Sequence, residues 1–360
     1  MSPSATDGPT IKQMIEDIRM SGNKNRQWIL NSRPSGYLTG NEFRWNEASI
    51  PKPADGQVLV RNLWLSFDPT QRGWMTRDSY VPMIPLGEVM RAGGVGQVIE
   101  SLNTDFNAGD LVQGWFGWQD YVATDGKGLG GLRKLPPGVP PNTALSLFGI
   151  TGATAYFGIT EIGQIKAGET VVVSGAAGST GSVAGQIAKI KGCRTIGTAG
   201  GKEKCDWLLN VAGFDGAIDY KTEDVGSRLS ALCPNGIDVF FDNVGGVVLN
   251  EVLARINLKA RIVLCGAISR YNETVLPPGP SNYFNLTPKR ARMEGFIILD
   301  YVPRFPEAIE ALARWQREGK LVQKEDVAVG LENAPRTLMR LFTGENFGKQ
   351  LLKIADAPLS

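Results

Sequence analysis

No histidine occurs anywhere in the 360 residues. That absence removes every Ser-His-Asp or Cys-His mechanism and every histidine-containing zinc site. Acid–base work is left to Tyr, Lys, a carboxylate, a cofactor hydroxyl or water. Cysteine is scarce too: Cys193, Cys205, Cys233 and Cys265 lack the close pairing of a zinc site or a redox dithiol. They read as small, reduced, buried side chains of a cytoplasmic protein. No cluster of cysteines and carboxylates offers a substitute metal site, so no metal is expected. Apolar runs of membrane-spanning length are missing, and the Met1 end lacks a charged-then-apolar signal pattern, so no membrane association is expected. Neither sign of charge is in excess: 38 Lys and Arg stand against 36 Asp and Glu. That balance gives no electrostatic case for nucleic acid as a partner.

What the chain does have is glycine, 44 of them, which signals many tight turns and close backbone approaches. Its length suits two domains rather than one core. Residues 1–24 form an extension in which Ile11, Met14, Ile15 and Ile18 have the spacing of one short amphipathic helix. From residue 25 to 148 the pattern is short extended runs such as Val58-Leu59-Val60 and Val95-Gly96-Gln97-Val98-Ile99, separated by Pro, Gly and Asp. This predicts an irregular β-domain or small barrel. Over 149–320 helical runs alternate with apolar strands at 171–174, 195–198, 217–219, 239–241, 261–264 and 295–298. Such alternation predicts a doubly wound parallel sheet. Residues 321–360 carry a short helix and the strand-like 350–354, and are expected to return to the first domain.

Val171-Val172-Val173 runs through Ser174-Gly175 into Ala176-Ala177-Gly178-Ser179-Thr180-Gly181, and a helical run follows. Gly178 would let the backbone approach a pyrophosphate, Gly181 would let helix and strand pack closely, and the helix N-terminus would offer amides and a positive dipole end. A lone turn of this type is weak evidence; placed between strand and helix in a βαβ series it is strong. The next strand ends in Thr198-Ala199-Gly200-Gly201 without the acid that usually accepts from the ribose hydroxyls of NAD, and Lys202 and Lys204 follow. Solvated surface lysines are the plain alternative, but missing acid and present base both favour NADPH/NADP+.

Several stretches taken together resemble the zinc-free leukotriene dehydrogenase/prostaglandin reductase family of medium-chain dehydrogenases/reductases, from about Gln27 to Ile354. They are Thr154-Ala155-Tyr156-Phe157-Gly158, Ala176–Gly181, Lys191-Gly192-Cys193, Phe241-Asp242-Asn243-Val244-Gly245-Gly246, Cys265–Asn272 and Gly344–Lys349. The resemblance implies an α/β fold in which a Rossmann doubly wound parallel sheet is inserted in a GroES-like β-barrel domain. It also implies a homodimer, and NADPH-dependent reduction, without metal, of a carbon–carbon double bond conjugated to a carbonyl. The substrate is then a small-molecule α,β-unsaturated ketone or aldehyde. Matched motif by motif, the cofactor would lie among Thr154, Ala177, Gly178, Ser179, Thr180, Gly181, Gly200, Lys204, Tyr220, Asn243, Cys265, Gly266, Ala267, Ile268, Ser269, Tyr271, Phe296, Ile297, Ile298 and Asn346. Lys204 would grip the 2′-phosphate.

Tyr271 is the candidate for substrate chemistry, its phenol donating to the enolate oxygen formed on hydride transfer; a loop aromatic that only shapes the pocket is the alternative. Trp115, Trp118 and Tyr283 are the further substrate candidates, with ordinary packing as the alternative for each. The family's Asp-Pro-Tyr-Met-Arg segment reads Asp68-Pro69-Thr70-Gln71-Arg72 here, so no prostaglandin preference carries over. An NADPH-dependent quinone oxidoreductase and a non-catalytic NADPH-binding protein are the rival readings.

Overall fold

The computed structural model describes residues 24–128 and 130–356; the expected helix around Ile11–Ile18 lies outside them. The chain begins with an antiparallel pair, β1 (Asn25–Leu30) and β2 (Phe43–Ala48). It then builds most of a seven-stranded sheet from β3 (Val58–Ser66), β4 (Gly93–Ser101), β5 (Leu111–Trp115), β6 (Tyr121–Thr124) and β7 (Arg133–Lys134). Every pairing among these strands is antiparallel. Trp118 is fully buried in this part, its ring 5.2 Å from those of both Phe43 and Phe67.

A second sheet follows: β8 (Thr170–Val173), β9 (Arg194–Ala199), β10 (Gly216–Asp219), β11 (Ile237–Asp242), β12 (Ile256–Leu264) and β13 (Arg292–Gly295). Its spatial order is β10-β9-β8-β11-β12-β13, with all neighbours parallel. Helices such as Ser179–Ile190, Lys202–Asn210 and Gly246–Leu253 make the crossovers. Val171–Val173 and Val239–Phe241 are buried throughout, because helices cover both faces; their sequences are therefore unbroken apolar runs instead of alternating ones. The last strand is earlier than the apolar run at 295–298 suggests. Phe296 to Ile298 lie just past the strand end, and Ile298 packs with Tyr301 and Val302 on Ala153 and Phe157. That apolarity serves a packed loop.

The chain then returns. β14 (Glu325–Val329) and β15 (Lys349–Lys353) join the first sheet through β15 against β3. Between them the helix Ala334–Thr343 ends at Gly344, whose φ of 72° is the left-handed conformation that glycine adopts without a Cβ penalty. Lys349 is 1% exposed, and its Nζ lies 2.5 Å from Asp68 Oδ1 and donates to the Phe67 carbonyl. This buried ion pair ties the returning strand to the first domain.

Helix Ser179–Ile190 sits so close to its neighbours that a Cβ on Gly185 would fall 2.0 Å from the Phe214 ring. Gly185→Ala is expected to destabilise the fold by roughly 1–3 kcal/mol, the range for overpacking. A urea midpoint equal to that of the unaltered protein would contradict this packing.

Candidate active site

Strands β8 and β11 are adjacent where the strand order reverses, so the loops at their carboxyl ends flank a crevice of the kind that binds dinucleotides. On the β8 side, Ala176 is fully buried and its N–H donates to the Thr198 carbonyl, 2.9 Å. Gly178 caps the Ser179–Ile190 helix with no side chain bonded to the first-turn amides, which leaves them available to an anion. A Cβ on Gly181 would lie 2.4 Å from the Gly175 carbonyl oxygen, so only glycine lets the helix start this near the strand end. The turn thus forms a cradle that a side chain would fill, as a pyrophosphate requires. Thr180 lies in the helix's first turn. Ser179 Oγ donates to Thr151 Oγ1, 2.9 Å, whereas Thr154 spends its hydroxyl on the Ile150 carbonyl, 2.7 Å. Thr151, not singled out from the sequence, is the residue that braces the turn.

The end of β9 carries the basic corner. Lys204 Nζ donates to the Gly344 carbonyl, 2.7 Å. Burial and the neighbouring Lys221 ammonium hold its pKa below the ordinary lysine value. A Cβ on Gly200 would meet Tyr220 Oη at 2.7 Å and Lys221 Cε at 2.9 Å, and one on Gly344 would stand 3.8 Å from Tyr220 Oη and 3.9 Å from Lys221 Nζ. Gly200, Lys204, Tyr220, Lys221 and Gly344 therefore meet at one point. Two ammonium groups and a phenol converge there, the donor set of a phosphate dianion. Lys202, by contrast, is exposed and paired with Asp206 one helical turn on. Lys221 went unnoticed in the sequence because β9 and β10 must be side by side before it reaches Gly200.

On the opposite side, Asp242 is buried and its Oδ1 accepts from Ser174 Oγ (2.8 Å), Val244 N (3.0 Å) and Gly245 N (2.9 Å). Burial nonetheless pushes its pKa up. The loop so formed turns Asn243 back onto Ser174, with Nδ2 donating to the Ser174 carbonyl, 2.7 Å. Cys265 and Gly266 both donate their N–H groups to the Asp242 carbonyl, which places Cys265–Ser269 beside Asn243. Ser269 Oγ donates to the Val244 carbonyl, 2.6 Å. The Cys265 thiol is pushed up to about 12, chiefly by burial. Phe296 packs under Gly158, whose Cβ would lie 2.7 Å from its ring. Asn346 Nδ2 donates to the Gly348 carbonyl, and Gly348 N donates to the Ala177 carbonyl, 3.0 Å, so the returning chain reaches the phosphate turn itself.

Tyr271 joins this crevice to a second space. Its Oη accepts from Ala267 N, 3.3 Å, and its ring lines a cleft of about 540 Å³ between the two parts of the molecule. Facing it from the first domain are Thr70, Arg72, Trp74, Arg77 and Tyr80. Burial raises the Tyr271 pKa above the ordinary phenol value. The other substrate candidates fare differently. Trp115 does not line the cleft but packs edge-on against Trp74, which does, at 5.4 Å. Trp118 belongs to the core described above, and Trp115 packs on the same cluster while staying partly exposed. Tyr283 is 61% exposed and outside the cleft, its short helix held on the Gly246–Leu253 helix by Asn282 and Asn285. Among the described residues no cluster of three or more Cys, Asp or Glu side chains could hold a metal ion.

A six-stranded parallel sheet with its phosphate turn at the switch point, joined to a β-domain that closes a cleft over it, defines a two-domain dinucleotide-dependent oxidoreductase. Comparison with known proteins agrees. Residues 26–132 match the family described as N-terminal domain of oxidoreductase, and 179–314 the one described as zinc-binding dehydrogenase. The chain is 44% identical over 338 residues to the NADPH-dependent curcumin reductase of Escherichia coli, covering 92% of this chain and 97% of that one. It is 40% identical over 338 residues to the NADP(+)-dependent 2-alkenal reductase of Nicotiana tabacum, at 92% and 98% coverage. The crystal structure of CurA from Vibrio vulnificus in complex with NADPH superposes with a TM-score of 0.88 at 43% identity, covering 92% of this chain and 99% of that one. The chain belongs to the alkenal and prostaglandin reductase family of the medium-chain dehydrogenases/reductases.

The basic corner yields a binding prediction. Lys204→Ala and Lys221→Ala are each expected to weaken NADPH about tenfold or more while leaving NADH nearly unaffected, with Lys202→Ala close to neutral. Fluorescence titrations with the two nucleotides measure this, and equal losses for both would remove the 2′-phosphate role.

Proposed function

We propose that this protein reduces the carbon–carbon double bond of α,β-unsaturated ketones or aldehydes with NADPH. The observation that carries the reading is Tyr271, which stands at once on the loop bordering the nucleotide crevice and on the wall of the cleft. The Ala177–Gly181 turn, the Lys204–Tyr220–Lys221 corner, Asn243 and the Cys265–Ser269 loop would hold NADPH, which when bound would supply the hydride for the β-carbon. The protein's task is then to receive the charge that appears on the carbonyl oxygen. The Tyr271 phenol, kept protonated by burial, donates to that oxygen and stabilises the enolate. Water in the open cleft delivers the proton to the α-carbon. The first and last parts of the chain, 25–148 and 321–360, form the substrate domain, and 149–320 the NADP-binding domain.

We also infer a homodimer in the cytoplasm. β13 is an edge strand of the parallel sheet, and Val247, Leu258, Tyr283 and Phe284 in the same part of the chain are exposed apolar side chains, which favours a second copy of the chain as their cover. The four cysteines are free thiols, in keeping with a reducing compartment. No described helix is long and apolar enough to cross a membrane. Light scattering at micromolar concentration tests the dimer; a monomer mass would remove it.

Steady-state assays with a simple enone and a simple quinone test the reaction, and strong preference for the quinone would reverse the ranking. Tyr271→Phe is expected to lower enone turnover by up to ~3 kcal/mol, the range for losing one oxyanion donor, with NADPH affinity unchanged. Because the phenol's folded pKa lies above its ordinary value, its donor form persists below about pH 10, and Tyr271 adds no alkaline limb to the rate below that pH. Unaltered turnover in Tyr271→Phe would reduce the residue to packing.

A further inference from the structure

One carboxylate gathers the loop that reaches the phosphate turn. Asp326 on β14 accepts from Arg340 in a two-bonded fork, Nη1 to Oδ1 and Nη2 to Oδ2, both 2.8 Å. Its Oδ2 also accepts from the Phe347 amide, 3.1 Å, and its backbone carbonyl accepts from Gln350 Nε2, 2.9 Å. Arg340 holds the other end of the same loop, since its carbonyl accepts from the amides of Gly344 and Glu345. Residues 344–348 are therefore fixed from both ends by a single ion pair. Its side chains are only 17% (Asp326) and 25% (Arg340) exposed, and a planar guanidinium on a carboxylate fixes direction as well as distance.

This loop presents two groups to the helix Lys202–Asn210. The Gly344 carbonyl accepts from Lys204 Nζ, and the Phe347 ring stands edge-on to Trp207, three residues further along that helix. Lys204 senses both members of the pair, Asp326 favouring its proton and Arg340 opposing it. Together they add little net charge to the corner, so what they contribute is geometry. A lysine on a flexible stem gives up rotamer freedom when it grips an anion. Lys204 has given up part of it already: one of its three donors is spent on a fixed carbonyl, and two remain for a phosphate. Taking the Lys204–Tyr220–Lys221 corner as the seat of the 2′-phosphate, we propose that Asp326 and Arg340 are positioning residues for cofactor choice. Acting through the Gly344 carbonyl, they hold Lys204 ready for that phosphate and so favour NADPH over NADH.

Fluorescence titrations with NADPH and with NADH test this in Arg340→Gln, in Asp326→Asn, and in the milder Arg340→Lys, which keeps the charge and loses the fork. The NADPH preference, taken as the ratio of the two dissociation constants, is expected to fall at least about threefold in each, near the lower end of coupling within one hydrogen-bond network. NADH affinity is expected to hold, which also reports that the variants are folded. Asp326→Asn separates geometry from charge. Arg340 would be left with only Glu345, 4.0 Å away and more exposed, and its freed charge would attract a phosphate; a preference that rises there overturns the proposal. In a Lys204→Ala background, Arg340→Gln is expected to leave the remaining preference unchanged, because the lysine it positions is gone. An undiminished further fall in that background would overturn the proposal, and so would equal losses of NADPH and NADH in the single variants, the mark of a loop that only supports the fold. If Lys204→Ala by itself leaves the preference intact, the 2′-phosphate reading of the corner fails and the proposal fails with it.

Discussion

A single backbone contact governs how the two halves of the molecule work together: the Gly348 amide donating to the Ala177 carbonyl in the middle of the phosphate turn. It exists because β15 must return to the first sheet beside β3 while the residues just before it brush the nucleotide crevice. Gly348 has a positive φ of 80°, and a Cβ there would fall 2.1 Å from the Lys324 carbonyl oxygen beside it, so the position itself tolerates no side chain. The adjoining residues add a second bridge, Lys204 to Gly344, and a third, Phe347 edge-on against Trp207 at 5.6 Å. The phosphate turn is thereby flanked by the returning chain that completes the first sheet.

The same arrangement explains why Asp242 and Lys349, two buried charges far apart in sequence, are tolerated. Each is held by groups that the architecture brings to it: three donors for Oδ1 of Asp242, whose Oδ2 has no partner, and a carboxylate and a carbonyl for the Lys349 ammonium. One shapes the loop that presents Asn243 and Cys265, and the other pins the returning strand next to the cleft wall at Asp68–Arg72. Buried polar groups with partners specify a geometry. Asp242 specifies a loop of the parallel-sheet part, and Lys349 the junction of the returning strand with the first sheet.

Much of this was legible in the sequence, and what was not has a common cause. The strand, turn and helix around Gly178 are local, so their spacing carried them; Lys202 and Lys204 were visible at the acid-free end of the next strand, and the family resemblance singled out Lys204. Lys221, Thr151, Arg72, Arg77 and Tyr80 depend on which strands and segments become neighbours. The stretch from 68 to 80 that supplies three of them has no periodicity to mark it. Trp115 and Trp118, read as one aromatic segment, both pack on the core of the first domain, Trp115 behind the cleft wall and Trp118 fully buried. The apolar run at 295–298 looked like a strand because packed loops and buried strands draw on the same residues.

Cys265 carries a consequence of its own. Unsaturated carbonyl compounds are electrophiles that add to thiolates, so an enzyme that gathers them places its own sulfur atoms at risk. The thiol beside Asn243 has its pKa pushed up to about 12, and Cys193, Cys205 and Cys233 are pushed up to about 11. Burial therefore favours the neutral thiol of Cys265, and the thiolate is the reactive form. Burial that reads as ordinary packing therefore also lowers the reactivity of these thiols toward such electrophiles.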